Sequence, residues 1–302
     1  MTSPAPRRLL FLLAATAVVG LVIAGFGRGL SFGPRIALVS LKGEIGESDL
    51  FVERINALAK EDRYRAVVLR IDSPGGAVGP SQEMYQAVLA LRQIKPVVAS
   101  LGSVAASGGY YVACAADVVV ANPGTLTGSV GVIIPVVDVH ELLENFGVKA
   151  ELLTAGEMKA MGSSLRALTP AERKIMQGML DGIQEQFLDA VTETRRLTPE
   201  QLADVRTARV YTGEQAQKIG LVDELGGLED AVRIAAQRAG LEGEPTLERI
   251  DVDRHPWWWN LVAEGRSSAG GFATGMMGLF GSFGEPQVRL PLLLDGAQAR
   301  LP

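Results

Sequence analysis

The chain has 302 residues, enough for one large α/β domain with additional segments at its ends. With 29 basic and 34 acidic residues, its net charge of −5 offers no basic excess to hold a nucleic acid, so we expect no nucleic-acid partner. A single cysteine, Cys114, excludes an intramolecular disulfide. Because Cys114 lies in an apolar run, we expect its thiol to be buried and inert.

Near the N-terminus, Leu9–Phe26 is an uncharged apolar run of eighteen residues. This is close to the length of about 20 residues that a helix needs to cross a bilayer, whereas a cleaved signal peptide has an apolar region of about 7–15 residues. We therefore expect an uncleaved, single-pass signal anchor at 9–26. Basic residues flank the run on both sides, so its orientation follows mainly from the short segment before it. We expect 1–8 in the cytoplasm, 27–34 as a linker, and the domain on the extracytoplasmic side of the cell membrane.

From Arg35 onward, short β-branched runs alternate with segments of helical period, which is typical of βα units around a largely parallel sheet. The predicted strands are Ile36–Leu41, Ala66–Ile71, Val97–Leu101, Val118–Ala121, Val130–Ile134 and Val148–Leu153. The predicted helices are Asp49–Ala59, Gln82–Gln93, Val139–Phe146, a long helix from Pro170 to about Leu197, a short helix from Pro199, Gly213–Ile219 and Leu228–Ala239. Thr169 and Glu172 are spaced as a capping box that begins the long helix.

Three stretches rich in glycine, Asp72–Gly76, Ala105–Tyr111 and Thr125–Gly131, follow or adjoin the predicted strands. Glycine lets backbone amides approach a ligand closely, and in open α/β sheets ligands bind at strand ends. Asp72–Gly76 is therefore either a plain turn or the wall of an oxyanion hole, with the amides of Gly75 or Gly76 pointing at a developing negative charge.

Ser107 is either the N-cap of a helix or a nucleophile, and the two interpretations are compatible. A serine at a helix start lies at the positive end of the helix dipole, next to the free amide of Gly108. The only histidines do not support a Ser/His/Asp triad, because His140 falls in a predicted amphipathic helix and His255 in the C-terminal tail. Lysine is the remaining candidate base, as in the Ser–Lys variant of the triad.

Lys159 lies in the segment Thr154–Gly162, after a predicted strand. It is either an ordinary surface lysine or a general base whose amine is desolvated by Ala160 and the two neighbouring methionines. A hydroxyl that accepts or donates a hydrogen bond would orient such an amine. Ser129 is the candidate for this role, and the alternative is a serine in a tight turn.

In combination, these motifs resemble the signal peptide peptidase A family, the membrane-anchored serine proteases of peptidase family S49. The matching elements, in the family's order, are Asp72–Gly76, Gly102–Tyr111, Thr125–Val132, Gly156–Lys159, Thr169–Arg173, Tyr211–Gly213 and Gly220–Asp223. The resemblance implies an α/β, ClpP/crotonase-like spiral of βα units around a largely parallel sheet over residues 35–240. One N-terminal transmembrane helix would precede it.

The resemblance also implies the catalytic residues, with Ser107 as nucleophile and Lys159 as general base. The supporting groups that it implies are the Ser129 hydroxyl, which orients the lysine, and an oxyanion hole formed by the amides of Gly75, Gly76 and Gly108. The interval of 159 − 107 = 52 residues fits the short, single-copy members of the family. In the family, the lysine loop has an aromatic residue before the lysine and a polar residue after it, whereas this chain has Met158 and Ala160.

The function implied is a serine endopeptidase that uses an acyl-enzyme intermediate and no metal or other cofactor. Its substrates would be remnant signal peptides and other membrane-derived or unfolded peptides, cut after small or apolar residues. The implied partners are membrane lipid and further copies of the chain in a ring of eight subunits. Two alternatives share the superfold: a membrane protease that trims stomatin-like proteins, and a crotonase-type acyl-CoA enzyme. The predicted anchor and the Ser107/Lys159 pair argue against the second.

Residues 241–302 form a tail of different composition, rich in Trp and Gly. Its apolar stretch Ser267–Phe283 contains too much glycine for a good membrane-spanning helix. The triple tryptophan within Pro256–Trp259 suits a membrane interface or subunit packing equally well.

Overall fold

The computed structural model of the chain describes residues 35–243 and 245–250. Within them, a sheet of eight strands has the order β6-β5-β3-β2-β1-β8, with β4 and β7 on a branch beside β3. The strands are β1 Arg35–Lys42, β2 Tyr64–Ser73, β3 Val97–Ala106, β4 Val118–Ala121, β5 Leu126–Gly128, β6 Val210–Thr212, β7 Glu224–Leu225 and β8 Thr246–Ile250. Every pairing is parallel except that of β5 with β6. The expectation of a largely parallel α/β fold is confirmed.

Helices cover both faces of this sheet. They are α1 Asp49–Lys60, α2 Val78–Arg92, α3 Gly108–Cys114, α4 His140–Asn145, α5 Pro170–Thr194, α6 Pro199–Val205, α7 Gly213–Lys218 and α8 Leu228–Arg238. Alternate strand residues such as Ala37 and Val39 pack with α1, α2, α3 and α5, whereas Ile36 and Leu38 pack with α8. Burial on both faces explains why the strands read as continuous apolar runs.

Strand β3 divides between two neighbours, and this division positions the candidate site. Its first half pairs with β4, from Val98 to Leu101, and its second half pairs with β5, from Val104 to Ala106. A register irregularity also separates Ile71 and Ser73 in the pairing of β2 with β3. The carboxyl end of β3 is therefore bent away from β4, and Ser107 follows at its tip.

Two of the predicted strands are wrong. Val130–Ile134 and Val148–Leu153 have no strand structure, and Ile133 and Leu153 are 89% and 90% exposed. The β-branched pattern favours a strand only where a neighbour can complete the hydrogen bonds. Here β5 already pairs with β3 on one side and β6 on the other, so the chain leaves the sheet at Ser129.

The predicted helices are confirmed, including the capping box of Thr169 and Glu172 at the start of α5. This helix ends at Thr194, a few residues before the predicted end at about Leu197. Arg195 adopts extended backbone there. Its buried guanidinium donates hydrogen bonds to the Asp223 carboxylate and to the carbonyls of Cys114 and Ala116 at the C-terminal end of α3.

Over residues 35–243 and 245–250, no helix is long and apolar enough to cross a bilayer. The predicted anchor at 9–26, the linker at 27–34, His255 and all but the start of the tail lie outside these residues.

Candidate active site

Ser107 lies at the junction of β3 and α3 with a positive φ of 51°. This backbone conformation costs a non-glycine residue about 1–3 kcal/mol and persists only where the surrounding structure imposes it. The side chain makes no N-cap hydrogen bond, and within the described part of the chain its hydroxyl has no hydrogen-bond partner. Ser107 therefore begins α3 without serving as a side-chain cap, which leaves its half-buried hydroxyl available.

The backbone around Ser107 is fixed on both sides. The Ser107 amide donates to the Gly128 carbonyl at 2.9 Å, and the Ser107 carbonyl accepts from the Tyr111 amide at 2.9 Å. The buried Thr127 hydroxyl donates to the Ala105 carbonyl at 2.7 Å, and so ties β5 to the end of β3. These bonds impose the strained conformation at Ser107.

Asp72, at the end of β2, holds the bend in β3. One of its carboxylate oxygens accepts hydrogen bonds from the amides of Ser103 and Val104, both at 3.1 Å. On the other side of the bend, the buried Thr125 hydroxyl donates to the Gly102 carbonyl at 2.7 Å. Asp72 was predicted only as part of a glycine motif, and this role was missed. The available signal was an acidic residue directly after a buried strand and before a glycine pair.

Gly75 and Gly108 lie against Ser107 so closely that neither position has room for a side chain. A Cβ on Gly75 would lie 2.7 Å from the Gly108 nitrogen and 2.8 Å from the Ser107 Cβ. A Cβ on Gly108 would collide with the Ser81 Oγ. The structure therefore brings Asp72–Gly76 and the start of α3 together around Ser107, which explains the small residues in both motifs.

The amides of the three predicted glycines differ in availability. The Gly75 amide donates to the Ser73 Oγ at 3.1 Å, so it is already engaged. The amides of Gly76 and Gly108 donate to no other group in the described residues. Gly108 directly follows Ser107 in the chain, and Gly76 directly follows Gly75, which packs against Ser107.

Ser129 is joined to Ser107 through the neighbouring backbone, because Gly128 accepts the Ser107 amide. Ser129 has a positive φ of 55°, and its own amide donates to the Arg209 carbonyl at 3.0 Å. Its side chain is half-buried, and its hydroxyl makes no hydrogen bond within residues 35–243 and 245–250. Ser107 directly follows β3 and Ser129 directly follows its neighbour β5, so two serines with free hydroxyls lie at the ends of paired strands.

Lys159 is exposed, and its side chain makes no hydrogen bond with either of these serines. It lies in a segment of turns, where its amide donates to the Gly156 carbonyl at 3.1 Å. Its amine forms no ion pair with a described residue, and no hydrogen bond joins it to Ser107 or Ser129. Met158, which was expected to desolvate the amine, is itself 39% exposed. The single chain therefore groups the two serines and the glycines, and leaves the lysine amine without a partner among the described residues.

The lysine segment is fastened to the start of α5 by one side chain. Arg166 donates to the Ala160 carbonyl at 3.1 Å and forms an ion pair with the buried Glu172. The Arg166 guanidinium and the Thr169 amide hold the pKa of Glu172 at about 2, below its usual 4.5.

The other residues considered for chemistry have ordinary surroundings. His140 pairs with Asp138 at 2.6 Å on the exposed face of α4, and this contact raises the pKa of the imidazole. Cys114 is fully buried, which confirms the expected burial of its thiol, and this burial raises the pKa of the thiol to about 11. No cluster of metal-ligating side chains occurs within the described ranges.

Two family models match the chain. The model described as peptidase family S49 matches residues 90–242, which include Ser107, Ser129 and Lys159. The model described as Clp protease matches residues 35–125, the part that contains β1 to β4 and Ser107. The two matches together span nearly all of the described residues.

Individual relatives agree with these models. A protein of Synechocystis sp. that is described as a candidate protease is 42% identical over 197 residues, which are 65% of this chain and 70% of that protein. The chloroplastic serine protease SPPA of Arabidopsis thaliana is 33% identical over 217 residues, which are 72% of this chain but only 32% of that protein.

Among solved structures, a variant of the 1510-N membrane-bound stomatin-specific protease, in complex with a substrate peptide, aligns with a TM-score of 0.47 and 16% identity. The alignment covers 78% of this chain and 98% of that one. This similarity is too distant to carry an argument about function. The family models and the closer sequence relatives carry the assignment. The chain belongs to peptidase family S49, a family of serine proteases, as its ordered motifs predicted.

Proposed function

We propose that the chain is a membrane-anchored endopeptidase in which Ser107 is the nucleophile and Lys159 the general base. The observation that carries the proposal is the strained Ser107 at the β3–α3 junction, with a free hydroxyl, the free amide of Gly108 next to it in the chain, and the Gly75 backbone packed against it. Residues held in a strained backbone conformation by well-bonded surroundings cluster at functional sites.

In the proposed reaction, the neutral Lys159 amine removes the proton from the Ser107 hydroxyl as its oxygen attacks the peptide carbonyl carbon. The amides of Gly76 and Gly108 donate hydrogen bonds to the oxyanion of the tetrahedral intermediate. Each such donor contributes about 3–4 kcal/mol to the transition state. The lysine ammonium then gives its proton to the leaving amine, and the acyl group remains as an ester on Ser107. A water molecule, deprotonated by the lysine, hydrolyses that ester.

No hydrogen bond joins the Lys159 amine to either serine in the single chain, so the dyad forms only when the amine comes within hydrogen-bonding distance of the Ser107 hydroxyl. Catalytic hydrogen bonds often tighten only when substrate is bound. The segment between β5 and α5 exposes several large apolar side chains, among them Ile133, Phe146 and Leu153. Exposed apolar surface of this kind suits a contact with another subunit. We include in the proposal the homo-oligomeric ring of eight subunits that the family resemblance implies, with Ser129 orienting the lysine amine.

The proposed substrates are remnant signal peptides and other membrane-derived or unfolded segments, cut after small or apolar residues. The proposal places the anchor at 9–26 in the cell membrane and the protease domain on its extracytoplasmic side. The alternative is a protease that trims stomatin-like membrane proteins. Peptides that accumulate in membranes carrying the Ser107→Ala variant would separate the two: short apolar signal remnants support the first, and an uncut stomatin-like protein supports the second.

The test of the dyad uses the full chain in detergent micelles with a library of defined peptides. Ser107→Ala and Lys159→Ala should each lower hydrolysis by at least about a thousandfold, since removing one member of a catalytic triad has effects of this size. Lys149→Ala, which changes another exposed lysine between β5 and α5, should leave hydrolysis unchanged. Mass spectrometry of the native chain should detect an acyl group on Ser107. Activity retained in Lys159→Ala would overturn the lysine base.

A further inference from the structure

Arg166 and Glu172 form the junction between the lysine segment and α5. The two terminal guanidinium nitrogens of Arg166 donate to the Glu172 carboxylate, Nη1 to Oε2 at 2.9 Å and Nη2 to Oε1. The nitrogen that bonds Oε1 also donates to the Ala160 carbonyl at 3.1 Å. Since Ala160 directly follows Lys159, this single side chain links the backbone of the candidate base to a helix.

The Glu172 end of this link is rigid. The carboxylate is buried, and its Oε2 accepts hydrogen bonds from the Thr169 amide and the Thr169 hydroxyl, both at 2.9 Å. Glu172 is also the third residue of α5, a helix of 25 residues. A buried carboxylate with this many donors stays ionised and has one allowed position.

The C-terminal half of the same helix packs against α3, the helix that follows the nucleophile. Phe187 of α5 stacks on Tyr111 with ring centroids 4.3 Å apart, and the Tyr111 hydroxyl donates to the Gln186 carbonyl at 3.4 Å. Tyr111 belongs to α3, and its amide bonds the Ser107 carbonyl. Helix α5 is therefore connected to the Ser107 backbone through Tyr111, which contacts its C-terminal half, and to the backbone beside Lys159 through Glu172 and Arg166 at its start.

From this continuous set of contacts, we propose that the Glu172–Arg166 pair is a positioning element that sets where Lys159 stands relative to Ser107. The inference rests on the proposed Ser107/Lys159 mechanism and extends it. Neither residue touches the reacting atoms. They act on the rate by keeping the lysine backbone at a fixed place on α5, because a displacement of about 1 Å at a reacting group is worth up to about a hundredfold in rate.

The test compares Arg166→Gln, Arg166→Lys and Glu172→Gln in the full chain, with kcat, KM and the dependence of rate on pH measured on one defined peptide. Arg166→Gln and Glu172→Gln should lower kcat by about 10- to 100-fold with a change in KM below about threefold. The pH at which the rate is half-maximal should shift, because the lysine amine enters different surroundings. Arg166→Lys should have a kcat between those of Arg166→Gln and the native chain, since one ammonium cannot donate to both Glu172 and Ala160 in the geometry of a guanidinium.

Glu185→Gln is the matched control. Glu185 also lies on α5 and forms an ion pair with Arg206, and this pair makes no contact with the lysine segment. It should leave kcat and the pH profile unchanged. The inference is overturned if Arg166→Gln and Glu172→Gln keep the native pH profile and lose rate only in proportion to the folded fraction, measured by circular dichroism. Lys159→Ala separates the two proposals: activity in that variant overturns the dyad itself, whereas an inactive Lys159→Ala beside fully active Arg166→Gln overturns only the positioning role.

Discussion

Ser107 and Lys159 lie in two regions of the chain that are held in different ways. Around Ser107, the backbone is held by hydrogen bonds from the half-buried Asp72 and the buried Thr127 and by the pairing of β3 with β5. Around Lys159, the chain has local turns, exposed apolar side chains and the link from Arg166. The residues around Ser107 are held by the sheet and the core of their own chain, whereas most residues around Lys159 are exposed and are not packed in that core.

This difference suits the chemistry that we propose. An oxyanion hole works only when its donors are fixed before the reaction, so its glycines belong on the rigid core. A base on a loosely held segment can be absent from Ser107 until substrate or another subunit arrives. A protease built in this way would hydrolyse little before it is assembled.

The largest expected contrast between the two regions is in amide hydrogen exchange. Amides of β3 lie in the middle of the sheet and open only with most of the fold, whereas no amide of residues 150–158 donates a hydrogen bond to a described residue. We expect the segment 150–158 to exchange at least about a thousandfold faster than β3. The measurement is exchange followed by mass spectrometry on the Ser107→Ala chain, which prevents self-digestion. Equal protection in both regions would mean that the lysine segment is covered in solution, and the comparison would then hold only for the single chain.

The same contrast explains how much the sequence could predict. Strands β1 to β4 and the start of α5 follow local patterns that the core reinforces, so periodicity and capping residues were enough to find them. The short strands β5 to β8 were missed, because two to five residues carry too little pattern. In addition, β5 and, through it, β6 join the sheet only because the second half of β3 is not paired with β4. Val130–Ile134 has the composition of a strand, but β5 already has a neighbour on each side where this segment begins.

At the candidate site, glycine motifs were enough to group Gly75, Gly108 and Ser107. They could not indicate that the Gly75 amide is engaged by Ser73, or that Asp72 holds the bend of β3, because both depend on the path of the backbone. The lysine was found by elimination of the histidines, and elimination carries no information about where a side chain lies.

A smaller effect tests how tightly the nucleophile region is packed. In Gly108→Ala, the new Cβ would collide with the Ser81 Oγ, so we expect the free energy of unfolding to fall by about 1–3 kcal/mol. Ser81→Ala removes that oxygen and should recover part of the loss in the double variant. Urea unfolding of both single variants and the double variant gives this coupling.

The matched control for Gly108→Ala is Gly178→Ala on α5, where nothing lies within 4 Å of the new Cβ. Because alanine is the better residue in a helix interior, we expect this change to stabilise the chain by about 0.5–1 kcal/mol. Strictly additive effects of Gly108→Ala and Ser81→Ala would show that the two positions do not press on each other, and would contradict the packing described for the nucleophile region.

The smallest expected effect concerns the lysine region and its response to acid. Glu172 has a folded-state pKa of about 2, lowered from 4.5 first by Arg166 and then by Thr169. A carboxyl whose pKa is lowered by folding stabilises the fold above its unfolded pKa and loses that contribution as the pH falls through its folded pKa. The gain is therefore fully present above about pH 5 and disappears between about pH 4.5 and pH 2. It should be modest, because Arg166 is about one-third exposed and solvent screens the pair.

Thermal unfolding of the native chain and of Glu172→Gln, followed between pH 2 and pH 7, measures this contribution directly. The native chain should have the higher Tm at pH 6 to 7, and the difference should shrink toward zero as the pH approaches 2. A Tm difference that stays constant over this range would mean that the introduced amide disturbs the start of α5 by its shape rather than through the lost charge. The protection factor of the lysine segment, which is the intrinsic exchange rate at each pH divided by the observed rate, should fall over the same interval, because Arg166, which ties this segment to α5, has lost its ionised partner. The protection factor of β3 should stay unchanged until the whole fold opens.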